Sequence, residues 1–180
     1  MARRATCPLG GMCLKGQLAA ARGPCWTARM NLTAITMSPA TRRLGFAGLL
    51  PAAACLALML AGGDAWRWTA LAIGYLYAVL VFSFLGGVWW GLAVLFPDAP
   101  RWTPLAAVMP SLIGLASFAP WIFGYPWPRP SLILVGLLLL VSPLIDRAIV
   151  GAAPGGDAWI ILRVQLSTGL GVLSLLIALL

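Results

Sequence analysis

From Ala70 to Phe96 the chain runs 27 residues without a charge or a proline. At about 1.5 Å of helical rise per residue that stretch is roughly 40 Å long, enough to cross a hydrocarbon core of about 30 Å with some tilt. Ser83, Gly87 and Gly91 recur every fourth residue in its middle, with Gly86 beside them, so one face should admit the backbone of another helix. The other apolar segments are predicted to be helices gathered against this one.

Composition agrees with lipid as the solvent. Hydrophobic residues make up 62% of the chain and charged residues only 9%, against about 45–50% and 25% in an ordinary soluble domain. The net charge of +8 is unevenly spread: residues 1–43 hold seven basic residues and no acid, and the remainder holds five basic and four acidic. The cations therefore mark the side of the membrane on which the chain starts. Scattered through a tail with no packed-domain pattern, they point to no nucleic-acid partner.

The chemical inventory is narrow. The sequence has neither histidine nor glutamate, which removes the commonest general base, the commonest metal ligand and half of the usual carboxylates. Of four cysteines, Cys7, Cys13 and Cys25 lie in the tail and Cys55 in an apolar run. Their spacing forms no CxxC pair, and a tetrahedral zinc site without histidine would need all four. No metal, no cofactor and no catalytic residue is expected, and the chain is expected not to be an enzyme.

Residues 1–43 should be a basic, disordered tail, with a translation start at Met30 or Met37 as an equal alternative. The transmembrane domain, 44–180, divides into five predicted spans at about 44–63, 70–96, 103–124, 131–150 and 159–180. Pro51 should kink the first span and free a backbone carbonyl that a neighbour must meet. Asp64 to Trp68 suits the headgroup layer, with two tryptophans around Arg67. Trp89 and Trp90 fall too early for purely interfacial rings, so either the second span tilts or they pack between helices. Pro104, Pro110 and Pro120 cut the third span, whose Ser111, Gly114 and Ser117 share roughly one face that could meet the glycines of the second. The fourth span reaches normal length only by continuing through Asp146 and Arg147. Residues 151–158 form a loop before the fifth, which carries Arg163, Gln165, Ser167 and Thr168 in its first half.

Five spans put the two ends on opposite sides. The tail, Arg101, Arg147 and Arg163 fall on one side, Arg67 and Arg129 on the other. The more basic side is the cytoplasmic one, so the C-terminus should face out. One polar constellation stands above background: Asp146 and Arg163 lie near the inner ends of the last two spans, joined by a short loop. A charge a turn inside the bilayer costs a few kcal/mol, on the order of insertion-scale values, unless paired or snorkelling. Asp146 pairing with Arg163 would clamp two helices. Alternatively Asp146, Arg147 and Arg163 would form one wall of a polar pocket continued by Gln165, Ser167, Thr168 and either Ser83 or Ser142.

The motifs SFLGGVWWGLA (Ser83 to Ala93), PSLIG (Pro110 to Gly114), LIDR (Leu144 to Arg147) and WIILRVQLSTGL (Trp159 to Leu170), in this order and spacing, carry a family likeness. Over about residues 44–180 the chain resembles the domain of unknown function 3429 family of bacterial membrane proteins, whose mitochondrial relative is called transmembrane protein 69. The resemblance implies several membrane spans and brings no site residues.

Taken together, the expectation is an all-α, polytopic transmembrane helix bundle of a bacterial inner membrane, with membrane lipids as its surroundings. Its function is expected to be association with itself or another membrane protein through small-residue faces: Ser83, Gly86, Gly87, Gly91 and Gly114. The alternative is a small solute or ion carrier using the polar pocket near the inner ends of the last two spans.

Overall fold

A computed structural model of the protein describes residues 38–95, 99–150 and 156–180. Residues 1–37 of the tail with its three cysteines, residues 96–98 with Asp98, and residues 151–155 of the expected loop lie outside the described residues. Among those described, all regular structure is helical: α1 (Pro39–Ala47), α2 (Leu50–Ala61), α3 (Gly63–Leu95), α4 (Thr103–Ala116), α5 (Ala119–Ile122), α6 (Arg129–Val150) and α7 (Gly156–Leu179). They make five segments long and apolar enough to cross a membrane, α1 with α2 and α4 with α5 each forming one broken segment.

The boundaries differ from the expected ones where polar residues continue a helix. The first segment starts at Pro39, so Arg42 and Arg43 are helical, and the Asp64 to Trp68 connection is the opening of α3. A helix satisfies its own backbone on either side of the interface, so nothing obliges it to stop where the hydrocarbon stops. The reversal between α2 and α3 is made instead at Gly63, whose φ of 65° is a left-handed conformation that glycine adopts without strain. With 33 residues, α3 is roughly 50 Å long and extends well past the apolar layer.

Helix α3 is the hub, packing against α2, α4, α6 and α7, while α6 and α7 form a hairpin beside it. Its buried residues run Ala70, Leu71, Gly74, Tyr75, Ala78, Phe82, Leu85, Gly86 and Trp89, steps of one, three and four that draw one stripe along the helix. Ile73, Leu76, Leu80, Phe84, Trp90 and Val94 are exposed on the opposite side. A large apolar surface facing outwards is what lipid permits and water would not.

Side chains meet freed backbone groups at both helix breaks and at Pro143. The Gly48–Leu49 break precedes Pro51, which sits in the first turn of α2, and Tyr77 Oη donates to the Gly48 carbonyl. The expected kink is thus a full break, two residues before the proline. Pro143 inside α6 leaves the carbonyl of Leu139 without its i+4 donor; Ser142 Oγ donates to it at 2.8 Å and shares a 3.2 Å bond with Ser167 Oγ of α7. Between α4 and α5, Ser131 Oγ donates to the Ser117 carbonyl at 2.6 Å. Tyr75 Oη lies 2.8 Å from Ser117 Oγ, which donates to the Gly114 carbonyl at 2.7 Å. Pro110 remains inside α4, which continues to Ala116.

Candidate functional site

The polar centre of the bundle joins three helices. Asp146 of α6 is fully buried, with 0% of its surface exposed, and both of its oxygens are engaged. Arg163 of α7 donates Nε–H to Oδ2 at 3.0 Å, and Trp89 of α3 donates Nε1–H to Oδ1 at 2.7 Å. The Arg163 guanidinium carbon also lies 5.6 Å from the ring centroid of Trp159, one turn earlier on α7, within range of a cation–π attraction.

The local sequence explains why these groups meet. Trp89 ends the buried stripe of α3, four residues after Leu85, so its ring points into the bundle rather than to the headgroups. Asp146 follows Leu139, Ser142 and Pro143 on the buried face of α6. Arg163, Ser167, Leu170 and Ser174 form the matching stripe of α7, at steps of three and four.

Burying an isolated carboxylate costs several kcal/mol, on the order of what two charge-assisted hydrogen bonds and a paired cation can offset. The arrangement ties three helices together and leaves neither Asp146 oxygen without a partner. Trp89 belongs to this site and was not assigned to it from sequence. The available signal was its place on the Tyr75, Ala78, Phe82, Leu85 stripe, since an indole buried there needs an acceptor.

The other expected site residues divide sharply. Ser167 is buried beside Ser142, but Arg147, Gln165 and Thr168 are exposed, the last two on another face of α7 from Arg163. They do not continue a polar wall. Ser83 is also elsewhere: its Oγ lies 2.8 Å from Ser111 Oγ, between α3 and α4.

The glycines separate in the same way. A Cβ at Gly86 would sit 2.3 Å from the Ala107 carbonyl oxygen, and one at Gly114 would sit 2.8 Å from a Val79 methyl, so these two positions bring α3 and α4 together. The expected meeting of the third span with the glycines of the second is made by Gly86. At Gly87 and Gly91 no described atom lies within 4 Å of a Cβ. Among the described residues no group of three His, Cys, Asp or Glu side chains is gathered as a metal site would require.

Cavities adjoin the bundle, and two are lined by described residues. One, of about 260 Å³, lies between the first segment, α3 and α7, and Arg163, Ser167 and Tyr77 are its polar lining. The other, of about 310 Å³, lies at the opposite end, bordered by Asp64, Arg67, Arg129, Trp68 and Trp127. Trp127 there packs on Trp68, Tyr75, Phe118 and Trp121 at centroid distances of 5.9, 5.1, 5.5 and 5.2 Å.

No curated protein and no solved structure gives a significant match to the chain. A family model does: the one described as protein of unknown function (DUF3429) matches residues 37–180, which take in every described helix. The chain therefore belongs to the DUF3429 family of proteins of unknown function.

Proposed function

We propose that the protein is a non-enzymatic, multi-pass protein of a bacterial inner membrane that associates laterally with a second copy of itself or with another membrane protein, through the Gly87/Gly91 face of α3. One observation carries this reading. The two glycines lie one turn apart with no described atom within 4 Å of a Cβ at either, on the same side as the exposed Leu80, Phe84 and Val94, whereas Gly86 is consumed by packing inside the bundle. Two stacked glycines without an internal neighbour offer a shallow groove in which another helix can approach closely and gain dispersion contacts that lipid chains supply less well.

The non-enzymatic part is supported by the lack of histidine and glutamate and by the full engagement of Asp146. A carrier has less support, because Gln165 and Thr168 turn away from the pocket they would line. The orientation rests on the basic residues around the start of the first segment, which favour a cytoplasmic N-terminal side.

Gly87→Leu/Gly91→Leu tests the association. The double variant should run as a smaller species than the wild type in a mild detergent, with its thermal unfolding unchanged, because neither new side chain meets the protein's own helices. Assemblies of unaltered size would count against the proposal.

A further inference from the structure

We propose that the cavity between the first segment, α3 and α7 binds an anionic glycerophospholipid, with an acyl chain along its apolar walls and a phosphate oxygen on the free edge of the Arg163 guanidinium. The cavity opens on the outer surface of the bundle, since Leu44 and Phe84 at its border are 73% and 68% exposed. Between membrane-spanning helices such an opening faces acyl chains, so the occupant has an apolar body.

The headgroup chemistry follows from which polar lining groups still lack partners. Tyr77 already donates to the Gly48 carbonyl, and Ser167 is bonded to Ser142. Arg163 is 7% exposed; its Nε serves Asp146, while Nη2 is buried with no partner among the described residues. A buried cationic donor left unmade is costly, and the acceptor that suits a guanidinium edge is a phosphate or carboxylate oxygen.

Charge at the rim agrees. Arg42 and Arg43 are exposed immediately before Leu44. A Cβ at Gly45 would lie 3.1 Å from Leu166 and one at Gly169 would lie 3.0 Å from Leu49, so the first segment and α7 run in parallel and the two arginines sit at about the height of Arg163. Juxtamembrane arginines at that height attract acidic headgroups. The inference does not rest on the Gly87/Gly91 face, which lies outside the cavity lining.

The test is native mass spectrometry of the full chain released from micelles containing equimolar phosphatidylglycerol and phosphatidylcholine with matched chains. A third sample contains glycerol phosphate in place of lipid. Two variants separate the walls from the charge. Asp146→Asn/Arg163→Gln removes both charges together while leaving an acceptor for Trp89. Val81→Phe fills the cavity from α3 without touching the pair. The wild type should retain phosphatidylglycerol about tenfold over phosphatidylcholine, whose choline cation beside the same phosphate is disfavoured next to Arg163, Arg42 and Arg43, and both variants should bring that ratio towards one. Equal retention of the two lipids by the wild type would overturn the proposal. So would a preference that survives in Val81→Phe, which decides the matter if the double variant does not fold, or binding of glycerol phosphate alone, which would identify a soluble anion as the occupant.

Discussion

Replacing Arg163 with alanine should cost about 3–5 kcal/mol of stability, the range for breaking a buried ion pair from one side. Asp146 would keep its Trp89 hydrogen bond but stand as a fully buried carboxylate with no counter-charge, on a side chain too short to reach water. The reverse change, Asp146→Ala, should cost less, because a long arginine stranded a turn or two inside the membrane can snorkel towards the headgroups. Removing both charges, as in Asp146→Asn/Arg163→Gln, should recover most of the loss, since a hydrogen-bonded neutral pair of similar shape carries no desolvation penalty of that size. Unfolding of these proteins and of Asp146→Ala/Arg163→Ala in one detergent, with the wild type and the three alanine variants analysed as a double-mutant cycle, measures the coupling. Three similar small losses, each below about 1 kcal/mol as for a solvated surface pair, would show that Asp146 and Arg163 are not locked together.

The second large effect concerns neighbouring glycines with opposite expectations. Gly86→Ala places a Cβ 2.3 Å from the Ala107 carbonyl oxygen, a backbone atom that cannot swing aside. Helices α3 and α4 must separate there, straining the Ser83–Ser111 hydrogen bond nearly one turn away. The loss should reach about 1–3 kcal/mol, the range for overpacking, and sit at its upper end because two helix backbones are involved. Gly87→Ala meets no described atom within 4 Å and should be neutral or stabilising by up to about 1 kcal/mol, through helix propensity alone. Thermal unfolding of the two single variants in the same detergent decides it; equal losses at both positions would mean that the α3–α4 contact is misplaced.

That pair of residues also marks where sequence stops being informative. The spacing of Ser83, Gly87 and Gly91 is a stripe on any helix, and small residues at that spacing say only that something could approach. Which side faces the bundle was settled by the larger residues, through the Phe82, Leu85 and Trp89 stripe that takes Gly86 with it. The spans themselves were legible because a charge-free run of helical length has few other uses in a membrane. The Asp146–Arg163 pairing was legible too, because a short loop brings the ends of two successive helices together. Trp89 as a partner of Asp146 was not, since its acceptor lies in a helix 57 residues further on and its early place in the span was equally explained by tilt or by packing between helices. Helix starts such as Pro39 and Gly63 escaped for a different reason: polar composition locates the water, while the backbone remains helical on both sides of it.

The central claim is that the chain crosses a bilayer five times, with the beginning of α1 and the end of α7 on opposite sides. Substituted-cysteine labelling in sealed inner-membrane vesicles and intact cells tests it, with a membrane-impermeant reagent and single cysteines at Ser38, Arg101, Tyr125 and Leu180 in a background lacking Cys7, Cys13, Cys25 and Cys55. The account predicts labelling of positions 38 and 101 only from the cytoplasmic side and of 125 and 180 only from the outside. Labelling of 38 and 180 from the same side would contradict it.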